Sequence, residues 1–185
     1  LAWGQRKTII KSGERLLELM DHSPYDFVLN HGDSDLKRFE RFVHRTFQPT
    51  DALYFLHFFK MYYSENESLE NAFSESIRSE DITVENGLVS FAKTFFDDPY
   101  APKRTRKHIA SPIRKSTCKR INMFLRWMVR NDGKGVDFGL WNTIRTDQLL
   151  IPYDVHVERN ARKLGLLKRK QRDWKAVIEL TDNLK

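Results

Sequence analysis

Apolar residues recur at three- and four-residue intervals along nearly the whole chain, and no stretch of any length alternates with the period of two that a half-buried strand requires. That pattern predicts an all-α protein. Ile9, Ile10, Leu16, Leu17, Leu19 and Met20 mark a first helix, which should stop before Ser23-Pro24 because proline disfavours helical geometry in the residue ahead of it. A second helix is expected over 33–47, and Thr50-Asp51 should cap a third over 52–63, the most apolar element of all. Further helices are expected over 68–77 and 85–96. The pattern breaks at Asp97-Asp-Pro-Tyr-Ala-Pro102, and a short basic helix over 103–110, a turn at Ser111-Pro112 and a long helix over 116–130 follow. Val157, Ala161 and Leu164 define a helix ended by Gly165, and Asp173 should cap a last one over 174–184.

A chain of 185 residues that is 40% hydrophobic can bury one compact core, so a single helical domain over 1–185 is expected. The lone Cys118 excludes an intrachain disulfide and any four-cysteine metal site. The six histidines are scattered, none at metal-ligand spacing, and no metal or cofactor is expected. Apolar runs are too short for a membrane span. A monomer in the cytoplasm, associated with the nucleoid, is the expectation. The chain opens without Met on Leu1-Ala-Trp-Gly, already reading as helix, which suggests that upstream residues precede it.

Charge narrows the function. Between Tyr100 and Asn131 lie ten cations, Lys103, Arg104, Arg106, Lys107, Arg114, Lys115, Lys119, Arg120, Arg126 and Arg130, and no Asp or Glu. Without them, the remaining 22 basic and 25 acidic residues sum to −3, against +7 for the whole chain, so the positive field is local. A local field of that sign steers a polyanion to one place. On the helix over 116–130, steps of 100° put Cys118, Ile121, Leu125, Met128 and Val129 on one side and Lys119, Arg126 and Arg130 on a polar stripe. Ordinary surface helices interleave both signs, which this one does not.

Downstream, Ile151-Pro-Tyr-Asp-Val-His-Val-Glu-Arg159 sets a carboxylate where a helix begins. Asp154 in that position is first of all a good helix cap. The stretch Lys119-Arg-Ile-Asn122-Met-Phe-Leu125, taken together with Asp154-Val-His-Val157-Glu-Arg159, resembles the catalytic segment of the helix-hairpin-helix DNA glycosylase superfamily. There a lysine after the hairpin opens a helix with Asn and Leu three and six residues on, followed by a Pro-Val-Asp-Thr-His-Val-x-Arg signature. The chain is also similar to a bacterial family of unknown function that carries a Lys-Arg-x-Asn-Met-Phe-Leu-Arg-Trp-Met-Val-Arg motif. The glycosylase resemblance implies a helix-hairpin-helix element at about 103–131, Lys119 as amine nucleophile and Asp154 as catalytic carboxylate. More weakly, it puts Gln5 near a glutamine that fills the gap left by a flipped base.

The resemblance also implies an activity: excision of a damaged base from double-stranded DNA, with strand cleavage through a Schiff base as a further step. Cationic neighbours at Arg120 and Arg126 favour an uncharged amine at Lys119. In the superfamily a Gly-x-Gly turn holds a phosphate, whereas Ser111-Pro-Ile-Arg-Lys-Ser-Thr117 has no glycine, so Arg114, Lys115, Ser116 and Thr117 would take over that contact. The other cations of the run should meet the backbone as well, and His108 and His156 could touch phosphate. Trp127, Phe138 and Trp141 are candidates to stack a base. Two other readings stand beside this one: a non-catalytic DNA- or RNA-binding module on the same scaffold, and a helical protein-interaction domain.

Overall fold

The computed structural model describes residues 1–185. The protein is all-α: no strand forms, and the only ladder pairs are two isolated bridges, His44 with Phe47 and Asn131 with Phe138. No helix is long and apolar enough to cross a membrane. Contacts within the chain define two compact units, Leu1–Leu69 with Asp97–His108, and Glu70–Phe96 with Ile109–Lys185.

The first unit holds α1 (Arg6–Leu19), α2 (Pro24–Asn30), α3 (Asp33–Leu36), α4 (Pro49–Tyr63) and 3-10 turns at Lys37–Phe39 and Lys103–Lys107. α1 ends where Asp21 and His22 take left-handed backbone angles, and Pro24 opens α2 with a nitrogen that has no proton to leave unbonded. The helix expected over 33–47 is only α3 and one 3-10 turn. Beyond it Arg45 turns left-handed and His44 pairs with Phe47, a route that lets Phe39, Phe42 and Phe47 all enter the core. Their partners there are Leu19, Met20, Phe27, Val28, Ala52 and Leu56. α4 begins at Pro49, earlier than the expected Thr50-Asp51 cap. Asp51 instead lies inside the first turn and reaches back to accept the Gln48 amide at 2.8 Å.

The second unit holds α5 (Asn71–Ser74), α6 (Glu85–Phe95), α7 (Lys119–Val129), α8 (Val155–Lys163) and α9 (Trp174–Asp182), with 3-10 turns at Pro112–Arg114 and Thr146–Gln148. Phe73 of α5 stacks on Phe91 of α6 with ring centroids 4.2 Å apart. The two helices meet closely because position 87 is glycine, where an added Cβ would stand 2.7 Å from the Phe73 carbonyl oxygen. Buried Glu70 accepts amides from Thr143 at 2.7 Å and Ile144 at 3.2 Å, tying the chain beyond α7 to the start of α5. Asp173 caps α9 through the Ala176 amide, and Gly165 stands just past α8 at φ +72°.

The segment over 103–131 departs from a pair of α-helices. Its first arm consists of the 3-10 turns Lys103–Lys107 and Pro112–Arg114, and α7 opens at Lys119 and not at Ser116. Four like charges in five residues, with no acid to relieve them, oppose an α-helix at Lys103–Lys107, and Pro112 supplies no amide. Lys115 and Cys118 then adopt φ +56° and +50°, which stops helical propagation ahead of Lys119.

Candidate active site

α7 presents Lys119 because of how it starts. Cys118, buried and left-handed, is its N-terminal flank, and its amide donates to the Ser116 hydroxyl at 3.2 Å. One turn on, buried Asn122 donates Nδ2 to the Thr117 carbonyl at 3.4 Å, fastening the turn from below. Asn122, Leu125 and Val129 face inward, so Lys119 and Arg120 project outward.

Asp154 is the N-cap of α8. Pro152 and the wholly buried Tyr153 bring it there, and its Oδ1 accepts the amides of His156 and Val157, each at 2.9 Å. That leaves Oδ2, which accepts Lys119 Nζ at 2.8 Å. The lysine side chain is 46% exposed and the aspartate 24%, so the pair is open to an incoming ligand. The Lys119 hydrogen bond, followed by that of the Val157 amide, pulls the Asp154 carboxyl down to about 2. Chemically this is an ionised carboxylate with one oxygen locked by a helix start and the other in contact with a primary amine. Such a pair can support a developing cation and exchange a proton without rearrangement.

The other expected site residues divide between the units. In the second unit, Lys115, Arg120 and His156 are exposed, Ser116 and Thr117 half-buried, and Arg114 donates to the Ile109 carbonyl. Arg126 and Arg130 both turn to Asp137, with Nε to Oδ2 separations of 3.3 and 3.5 Å. Trp127 is half-buried and Phe138 exposed. Trp141, expected as a stacking candidate, is buried between Phe73 and Phe124, at 5.6 and 5.3 Å between ring centroids, and serves the core.

In the first unit, Gln5 is the exposed N-cap of α1, and Lys103, Arg106 and Lys107 are exposed. Two residues there gather on a buried acid. Arg104 forms an ion pair with the wholly buried Asp51, which also accepts Thr105 Oγ1 at 2.7 Å. His108, with its side chain only 4% exposed, lies 3.2 Å from the same carboxylate and packs edge-on to Phe47, so it is closed to phosphate. A buried carboxylate claims the nearest cations because leaving it unpaired is costly.

Asp137 and Asp51 pair with the basic run in a way that the sequence did not announce. Each is an ordinary acid in the text of the chain, and only the fold sets it under arginines. No group of His, Cys, Asp and Glu is placed to hold a metal ion. No curated protein and no solved structure matches the chain. The family described as "Protein of unknown function (DUF2400)" matches it over residues 1–185, and the chain is therefore a member of that family.

Proposed function

We infer that the protein binds double-stranded DNA, extrudes a damaged nucleotide and cleaves its glycosidic bond, with Lys119 as the nucleophile and Asp154 as the carboxylate beside it. The observation that carries this reading is the 2.8 Å contact between Nζ and Oδ2. The two residues that the glycosylase resemblance singles out, 35 positions apart, meet in one exposed pair. Support also comes from the turn ahead of Lys119. It uses left-handed backbone at Lys115 and Cys118, the kind of conformation a hairpin glycine would adopt, and places exposed Lys115 and half-buried Ser116 and Thr117 just ahead of α7.

In the proposed reaction the bond between the sugar C1′ and the base nitrogen breaks, both its electrons leave with the base, and the base takes a proton from Lys119, whose amine is thereby neutral. The ionised Asp154 stabilises the positive charge that grows on the sugar. The neutral Lys119 amine then adds to C1′, and the ammonium so formed passes one proton to Asp154 Oδ2. Covering the pair with DNA removes water, which raises a carboxylate's affinity for a proton and lowers that of an amine. The bond from C1′ to the ring oxygen then breaks, its electrons go to that oxygen, which takes the proton back from Asp154, and the nitrogen lone pair closes the protonated Schiff base. A proton leaves C2′ to the freed carboxylate and the 3′ phosphate departs by β-elimination.

A second reading, a nucleic-acid-binding module without chemistry, is favoured by the glycine-free turn and by a first arm made of 3-10 turns. A panel of duplexes, each with one lesion, separates the two. Release of a base from at least one duplex, abolished in both Lys119→Ala and Asp154→Asn, is expected for the enzyme. Salt-sensitive binding with no release across the panel identifies the module.

A further inference from the structure

The chain that follows α7 returns to it as a pinned loop. Phe138 donates its amide to the Trp127 carbonyl at 2.6 Å, and Trp141 donates to the Met128 carbonyl at 2.9 Å. Asn131 and Phe138 pair across the base of the loop. Gly139, at φ +61°, lies so near Asn131 that an added Cβ would stand 2.7 Å from the Asn131 Cβ. Asp137 is the last fastening: its side chain is wholly buried, Oδ2 faces Arg126 and Arg130, and Oδ1 is buried with no hydrogen-bond partner.

A loop held this firmly could bury its apolar side chains, yet Val136, Phe138 and Leu140 are 54%, 56% and 65% exposed. Exposed apolar side chains grouped on a fixed backbone mark a surface that something else covers. The neighbouring charges indicate what. Arg126 and Arg130 lie one helical turn apart and approach Asp137 through Nε, which leaves the Nη groups of each, on side chains 36% and 48% exposed, for a further acceptor. A guanidinium fixed by one edge presents the other as a planar fork, the geometry that suits a phosphate. Within 103–130 no acidic residue competes for such a ligand.

We propose, on the basis of the excision reading, that Asp137 is a positioning residue that aims Arg126 and Arg130 at neighbouring phosphates of one DNA strand, while Phe138 stacks on a base of that strand that distortion has unstacked. A nucleic-acid strand answers both halves of the surface, the phosphates meeting the guanidinium pair and the base meeting the phenyl ring. The Phe138 amide is tied to the Trp127 carbonyl, eight residues or about 12 Å of helix rise beyond Lys119, which sets the scale of the spacing between grip and amine. At about 3.4 Å per nucleotide, the stacked base is three or four positions from the one attacked. α7 thus carries chemistry at its first residue and a strand grip at its last turn.

The test is binding of the full chain to a duplex holding a tetrahydrofuran abasic analogue, with 2-aminopurine three or four nucleotides away, across a range of salt concentrations. Phe138→Ala is expected to weaken binding about five- to hundredfold and to abolish the change in 2-aminopurine fluorescence, with the slope of log Kd against log salt unchanged. Arg126→Gln should flatten that slope by roughly one, and Asp137→Asn should flatten it as well, in a chain that still melts cooperatively. Should Asp137→Asn fail to fold, Phe138→Ala and Arg126→Gln still decide the matter. Unaltered affinity in Phe138→Ala, or an unaltered slope in Arg126→Gln, overturns the proposal. Persistence of a Lys119-dependent covalent adduct in that case leaves the excision reading standing without it. A chain that binds no DNA at all overturns both, and Phe138-dependent binding to phosphatidylserine vesicles in such a chain reassigns the loop to a membrane surface.

Discussion

Lys119 and Asp154 stand 35 residues apart in the chain and 2.8 Å apart in space, the amine at the first residue of α7 and the carboxylate at the N-cap of α8. Each helix start fixes one partner, so the pair is assembled by backbone geometry before any ligand arrives. Half-exposed, it adds little to stability through charge alone.

The pair sets a pH dependence. Because the Asp154 carboxyl is lowered from 3.8 to about 2, its contribution to stability is complete above the unfolded value and is lost as pH falls through about 2. Carbon-detected NMR titration of Asp154 should give a midpoint near 2. In Lys119→Met the midpoint should rise toward the ordinary value, stopping short of it because the Val157 and His156 amides remain. An unchanged midpoint would mean that Lys119 does not hold the carboxylate in solution.

Gly87→Ala probes the packing of α6 on α5. The new methyl would meet the Phe73 carbonyl, a backbone atom with little freedom to move, at 2.7 Å. A loss of about 1–3 kcal/mol in chemical denaturation is expected. Gly133→Ala and Gly13→Ala meet no neighbouring atom, and Gly13→Ala, inside α1 and without positive φ, should gain up to about 1 kcal/mol.

The turn ahead of Lys119 carries conformational cost at Lys115, a non-glycine residue at φ +56°. Lys115→Gly should hold or raise stability by up to about 1 kcal/mol, because relief of the left-handed strain is offset in part by the freer unfolded chain. Lys115→Val should lower stability by more than 1 kcal/mol or so. Thermal melting of the two variants side by side makes the comparison.

Arg104 and Arg120 look alike in sequence and should behave oppositely. Arg104→Gln removes one of the charged partners of the buried Asp51, which keeps Thr105, His108 and the Gln48 amide, and should cost about 1.5–3 kcal/mol of stability. Arg120 is exposed, so Arg120→Gln should cost less stability than Arg104→Gln while flattening the salt dependence of DNA binding by roughly one. The reverse pattern would exchange their assigned roles.

The all-helical class was legible because the apolar period is written along the chain, and the end of α8 at Gly165 and the start of α9 at Asp173 followed from a stop and a cap that act locally. The 33–47 segment was misread because Phe39, Phe42 and Phe47 are spaced closely enough to suit a helix, while the core receives all three only through a turn at Arg45. Charge was legible as a total and illegible as a surface. Asp51 and Asp137 lie outside the basic run in sequence, and the fold sets them under Arg104, Arg126 and Arg130. Trp141 reads the same whether buried or exposed, since an aromatic at helical spacing carries no mark of which face it will take. The Lys119 and Asp154 pair was legible only through resemblance, because no local rule links two residues 35 apart.

Borohydride trapping tests the central claim most directly. The chain is incubated with a duplex carrying an abasic site, reduced, and its covalent adduct mapped by peptide mass spectrometry. Adduct on Lys119, lost in Lys119→Ala and slowed at least tenfold in Asp154→Asn, is the predicted result. Adduct mapping to another lysine, or forming equally well in Lys119→Ala, would contradict the assignment of this pair.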